Sequence, residues 1–130
     1  MKRTDLAYIA GLFDGEGCVT YSYGRERRGI GVIVSLGQKE EYLVRWLQLA
    51  FGGRIHIRKP GYAKNSTYKS PFHSWVVSKN EEIIAFLTVI LPFVKMKHSQ
   101  AELAIRHAQY RKEHAKGNIR KTDEEMAVDA

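Results

Sequence analysis

The sequence predicts an α+β fold in which helices cover one face of an antiparallel sheet. Three observations lead there. Along the chain the apolar residues switch between a spacing of about 3.6 and a spacing of 2. The period-two runs come as two adjacent pairs, as hairpins do. The chain has 130 residues, 44% of them apolar, which is enough for one core and gives no reason for a second. Residues 1–116 therefore read as one domain, and the polar, Gly/Asn-interrupted stretch 117–130 as a flexible tail.

The first element is a short helix over residues 6–14, with Thr4 and Asp5 as N-cap candidates and the Gly15/Gly17 pair as its stop. Glu16 then falls just beyond the helix end. Period two follows: Val19, Tyr21 and Tyr23 alternate with Thr20, Ser22 and Gly24, as in a half-buried strand. After a basic turn at 25–29, Ile30, Val32, Val34 and Leu36 share one face of a second strand, and Gly31, Ile33 and Ser35 the other. From Glu40 the spacing is helical again, placing Leu43, Trp46, Leu47, Ala50 and Phe51 on one side until Gly52-Gly53. A third strand turns Ile55 and Ile57 inward and Arg54, His56 and Arg58 outward, and Pro60-Gly61 ends it. Its partner spans 72–78, with Trp75 and Val77 toward the core. Asn80, Glu81 and Glu82 open a helix over 81–91, stopped by Pro92. A last helix, 97–111, repeats Ala101, Ala104, Ile105 and Ala108 at helical spacing. The order is α-β-β-α-β-β-α with one further helix.

Charge points to a polyanionic partner. The formal net charge is +7, and residues 17–80 hold eleven Lys and Arg against three Glu, with no acid between 42 and 80. Ordinary basicity without a ligand is the alternative that charge alone leaves open. No secretory apolar segment opens the sequence, and the longest apolar run, 83–94, is broken by Thr88 and Pro92. An intracellular protein with no membrane partner is expected. Cys18 is the single cysteine, which excludes an intramolecular disulfide and a thiolate zinc site, and suits a small buried residue. His56, His73, His98, His107 and His114 show no metal-ligand spacing, and no Ser sits in a nucleophile elbow. No small-molecule substrate is therefore expected. His98 and His107 read as helix-surface groups.

The outward face of the predicted sheet carries Thr20, Ser22, Gly24, Gly31, Ile33, Ser35, Arg54, His56, Arg58, Ser74 and Val76: small, polar and cationic groups without an acid. A β-ribbon with such a face can enter the major groove of DNA. Ala7, Gly11 and Gly15 recur every four residues on one side of the first helix, where a second copy of that helix could approach closely. The same stripe could instead pack on the chain's own core. Glu16, between two glycines, borders the basic surface and would repel phosphate unless a cation intervened. A divalent ion resolves that conflict, since Mg²⁺ takes one or two carboxylates and fills its shell with water and phosphate oxygens. A salt-bridged loop carboxylate is the plainer alternative.

The stretch Tyr8-Ile-Ala-Gly-Leu-Phe-Asp-Gly-Glu-Gly-Cys-Val19 resembles the signature of the LAGLIDADG homing endonucleases. Residues 10–17 match its AGLIDADG portion, with Glu16 in place of the second Asp. The resemblance implies the α-β-β-α-β-β-α homing-endonuclease fold and a sequence-specific, Mg²⁺- or Mn²⁺-dependent double-strand DNA endonuclease. With one motif it implies a homodimer, joined through Ala7, Gly11 and Gly15 and acting on a long pseudo-palindromic site. Glu16, with the Gly15 carbonyl, would hold the metal. Gln38 would order water and Lys97 would offset developing charge. The family often places a cation where Tyr42 stands, so Lys39 or Arg45 would substitute. Arg25, Arg27, Arg28 and Lys59 join the outward strand residues as expected DNA contacts. A non-catalytic relative that assists RNA splicing or regulates transcription is the alternative.

Overall fold

A computed structural model describes residues 1–23, 30–59 and 71–114. Within them the chain runs α1 (Arg3–Glu16), β1 (Gly17–Tyr23), β2 (Ile30–Gln38), α2 (Glu41–Phe51), β3 (Arg54–Arg58), β4 (Phe72–Val77), α3 (Asn80–Ile90), a 3₁₀ turn at Leu91–Phe93 and α4 (His98–His114). This is the predicted order. Gly24, Arg25, Arg27, Arg28 and the tail 117–130 lie outside the described residues.

Helix α1 is longer than its apolar pattern at both ends. Lys2, not Thr4 or Asp5, holds the N-cap position, and its backbone N–H donates to Asp5 Oδ2 at 3.3 Å. Asp5 thus serves the helix start from the first turn, as the acidic member of a capping box does. At the other end Glu16 is the last helical residue rather than a loop residue, and β1 starts at the next position. Gly17 permits that transition, because the ring and carbonyl of Phe13 fill the space a Cβ would need there.

The four strands form one antiparallel sheet in the order β1-β2-β4-β3. Directly paired residues share a face, so Val19, Tyr21, Val32, Val34, Leu36, Ile55, Trp75 and Val77 all point to the helices. Ile9 and Phe13 of α1, Val44 and Leu47 of α2, and Ile83, Phe86, Leu87 and Ile90 of α3 pack there, all of them buried. Trp75 meets Phe86 edge to face at 4.8 Å between ring centroids, and Phe51 adds a further ring 5.0 Å from Phe86. Buried Ala101, Ala104 and Ala108 give α4 a thin side facing α3.

The α2–β3 connection depends on its two glycines. Gly52 and Gly53 have φ of 83° and 84°, which side chains with a Cβ rarely adopt. Trp75 Nε1 donates to Gly52 O at 2.8 Å, Gln48 Nε2 to Gly53 O at 3.3 Å, and Gly53 N to Glu82 Oε2 at 3.4 Å. One turn is thereby tied to α2, β4 and α3.

Several expectations are corrected. Cys18 is exposed, because it pairs with Ser35 and shares the outer face. Ile57 is 50% exposed although it lies on the helix side of β3, since β3 is an edge strand with a neighbour on one side only. The buried stripe of α2 is Leu43, Val44 and Leu47, with Ala50 exposed. His107 is not a plain surface group: its Nε2 lies 2.6 Å from the Ile30 carbonyl oxygen and its ring stands edge-on to Tyr21, which fastens α4 to the first hairpin. Partial desolvation raises the pKa of the Tyr21 phenol. Among the described residues no helix is long and apolar enough to cross a membrane.

Candidate active site and nucleic-acid interface

The two acids at the end of α1 have opposite surroundings. Asp14 turns toward the segment before α4, where Lys95 N donates to its Oδ2 at 2.8 Å and Lys97 N to its Oδ1 at 3.0 Å. Partial burial pushes the Asp14 pKa up, but the backbone N–H groups of Lys95, Lys97 and Met96, together with the Lys97 charge, outweigh it, and the net shift is downward. Asp14 is a structural clamp that sequence reasoning did not assign. Glu16, two residues on, is exposed and makes no hydrogen bond or ion pair among the described residues. It is the free carboxylate at this end of the helix.

Lys97 belongs to the same place. Its Nζ donates to the Asp14 carbonyl oxygen at 2.5 Å, so the ammonium sits on the last turn of α1, where helix geometry leaves carbonyls without intrahelical partners. The carbonyl of Gly15, in the same last turn, is another such group. Glu16, Gly15 and Lys97 are therefore gathered at one helix end although 80 residues separate them in sequence.

Gln38 closes β2. Gly17 pairs with Leu36, so Gln38 lies two residues beyond the partner of the first β1 residue. It is half-buried, opposite His73, and by register on the Leu36 side rather than the outer face. His73, which carried no expected role, is 6% exposed, with Nδ1 lacking a hydrogen-bond partner and Nε2 3.8 Å from Glu41 Oε2. Of the possible substitutes for the cation at Tyr42, Arg45 is engaged: its Nε and Nη2 donate to Glu41 Oε1 at 3.2 and 3.1 Å. Lys39 is exposed.

A divalent ion fits this donor set in one way. Among the described residues no three His, Cys, Asp or Glu side chains gather around one point. The end of α1 offers the Glu16 carboxylate and a helix-end carbonyl, both hard oxygen donors. Such a pair suits Mg²⁺ completed by water and phosphate oxygens, and does not suit a metal that needs a closed protein cage.

Every described residue expected on the outer sheet face lies there, and Cys18, Gly37 and Phe72 join them. Register aligns Cys18, Ser35, Val76 and Arg54 in one row across the strands, and Gly37, Ser74 and His56 in the next. Thr20 with Ile33, Ser22 with Gly31, and Phe72 with Arg58 complete it. Phe72 leans over Gly37, where a Cβ would lie 2.5 Å from the ring. Arg54 Nε donates to His56 Nε2 at 3.1 Å and its Nη1 to Ser78 Oγ at 3.2 Å. No carboxylate stands on this face among the described residues. Lys59 is exposed immediately after β3.

On α1, Ala7, Gly11 and Gly15 are all exposed, and a Cβ built on Gly11 or Gly15 meets nothing within 4 Å. The stripe does not pack on this chain's own core. Tyr8, 51% exposed, lies beside it and touches Trp46 of α2 at 6.4 Å between ring centroids.

The sequence profile of a LAGLIDADG-like domain matches residues 3–90. No curated protein sequence matches the chain. Among solved structures, the homing endonuclease I-CvuI, in complex with the I-CreI target, superposes with a TM-score of 0.66 at 18% identity, over 83% of this chain and 68% of that one. The archaeal intron-encoded homing endonuclease I-Vdi141I, complexed with DNA, gives 0.63 at 18% identity, over 97% and 94%. The meganuclease I-AabMI, bound to uncleaved DNA, gives 0.62 at 18% identity, with 83% of this chain on 37% of that one. At these identities the likeness is one of fold.

Proposed function

The chain belongs to the LAGLIDADG-like domain family, and from that premise we propose that it is a divalent-metal-dependent, sequence-specific DNA endonuclease, working as a homodimer on a long pseudo-palindromic duplex site. The observation that carries this is the contrast between Asp14 and Glu16. One acid of the motif is consumed in holding the fold together, and the other is left exposed, with no partner among the described residues, where a basic sheet begins. A carboxylate so placed hinders phosphate binding unless it holds a cation.

In this proposal Glu16 and the Gly15 carbonyl hold Mg²⁺ or Mn²⁺, and residues 1–116 act as a single catalytic unit. The ion, when bound, lowers the pKa of water and stabilises charge on phosphate oxygens. Gln38 orients the attacking water through its side-chain amide. Lys97, fixed by the Asp14 carbonyl, offsets negative charge as the new P–O bond forms and the bond to the leaving oxygen breaks. The water's proton passes to solvent. Arg25, Arg27, Arg28, Arg58 and Lys59 neutralise phosphates, while Thr20, Ser22, Gly24, Ile33, Ser35, Arg54, His56, Ser74 and Val76 face base edges.

The open stripe on α1 supports the dimer. The chain spans 94% of I-Vdi141I and 37% of I-AabMI, so one unit of this fold accounts for nearly all of the former and about a third of the latter. Two units bring a Glu16 to each strand, and twofold symmetry of the protein implies twofold symmetry of the site.

The test is incubation with a randomised duplex library in Mg²⁺ and in EDTA, followed by sequencing of cut ends. One set of related, nearly palindromic sites cut only in Mg²⁺ is expected. Enrichment of bound duplexes without any cutting would make the protein a binder instead.

A further inference from the structure

We propose that Arg54, buttressed by His56 and Ser78, reads a guanine in the major groove and sets the base preference of the edge strand. This deepens the proposal that the outer sheet face binds DNA, and rests on it.

Arg54 and His56 are neighbours on the outer face of β3, and Ser78, the residue just past the end of β4, lies within hydrogen-bond reach of Arg54. A long exposed Arg side chain is normally free to sample many rotamers. Here two hydrogen bonds, Nε to His56 Nε2 at 3.1 Å and Nη1 to Ser78 Oγ at 3.2 Å, fix the guanidinium plane. One N–H of Nη1 and both of Nη2 remain, and together they form an end-on fork. Because the restraint exists before DNA arrives, less side-chain entropy is lost on binding.

The pair also fixes the chemistry offered. With Nε2 accepting from Arg54, the His56 ring carries its proton on Nδ1, a second donor on the same strand. No carboxylate among the described residues of this face supplies a compensating acceptor. A donor fork is matched by guanine, whose O6 and N7 both accept. It is mismatched by adenine, which presents its N6 amino group beside N7, and by cytosine, which presents N4. A phosphate anchor would need neither a fixed plane nor two buttressing partners.

Duplexes bound from a randomised library in EDTA, sequenced for the wild type, Arg54→Ala, Arg54→Lys and Ser78→Ala, test this. The wild type should require guanine at one position per half-site, by about tenfold or more over adenine. Arg54→Ala and Arg54→Lys should lose that preference at that position alone, and Ser78→Ala, which touches no base in this scheme, should relax the same position. A uniform loss of affinity for Arg54→Ala, with unchanged base preferences and a shallower salt dependence, would make Arg54 a phosphate contact and overturn the inference. If the wild type enriched no sequence at all, DNA recognition itself would fail and this assignment with it.

Discussion

Gly11 gives a prediction in which fold stability and self-association move in opposite directions. The residue lies mid-helix in α1, is exposed, and a Cβ added there meets nothing within 4 Å. Within one subunit, Gly11→Ala therefore introduces no clash and removes the conformational freedom of an interior helical glycine, stabilising the subunit by about 1 kcal/mol. For a chain of this size that is a rise of roughly 3–6 °C in Tm. In a dimer packed through the Ala7, Gly11 and Gly15 stripe, the same methyl enters a contact built for backbones. Overpacking costs about 1–3 kcal/mol at each site, and both subunits contribute one, so the dimer Kd should weaken by about thirtyfold or more. Sedimentation equilibrium gives the Kd, and thermal melts well below the wild-type Kd give the subunit stability. A Gly11→Ala or Gly11→Leu protein that dimerises as tightly as the wild type would refute the helix-pair interface.

Asp14→Asn keeps the size of the clamp but loses the charge that accepts from the Lys95 and Lys97 amides, and should destabilise the fold by about 1–3 kcal/mol. Because the folded-state pKa lies below the ordinary value of 3.8, the Asp14 contribution is present in full above that value and fades as pH falls through the folded one. Urea melts should therefore show the gap between wild type and Asp14→Asn at pH 7 narrowing at pH 3. Gly53→Ala places a Cβ at positive φ and within 2.8 Å of Trp75 Nε1 and Val76 O, and should cost about 2–4 kcal/mol. Chemical denaturation followed by Trp fluorescence measures it, and a loss below 1 kcal/mol would mean that the turn rearranges freely.

Much of this was legible in the sequence because alternation and helical spacing report which side of an element is buried. The faces of β2 and β4 follow from Val32, Val34, Leu36, Trp75 and Val77, and the outer face follows by complement. Cys18 obeys the same rule: it alternates with Val19, and that position outweighs the small apolar character of its side chain. The role of Asp14 left no local trace, because its partners are backbone amides more than 80 residues away, which any residue type but proline would supply. The role of His107 is hidden for a similar reason, since it engages a main-chain carbonyl at Ile30 that no pattern marks. The small stripe on α1 was visible as spacing, but only the fold decides between the chain's own core and open surface, and it decides for open surface. Ile57 looked like Ile55 because periodicity ignores where a strand sits in its sheet.

The proposed chemistry concentrates on one carboxylate, and the most direct measurement is single-turnover cleavage of a selected duplex by the wild type and Glu16→Gln, with binding measured in parallel. Glu16 has no partner in the fold among the described residues, so the substitution should leave stability and specific binding nearly unchanged. The wild type should cut both strands in Mg²⁺ and not in EDTA, and Glu16→Gln should bind the same site without cutting it. Cleavage by Glu16→Gln at the wild-type rate would contradict the account.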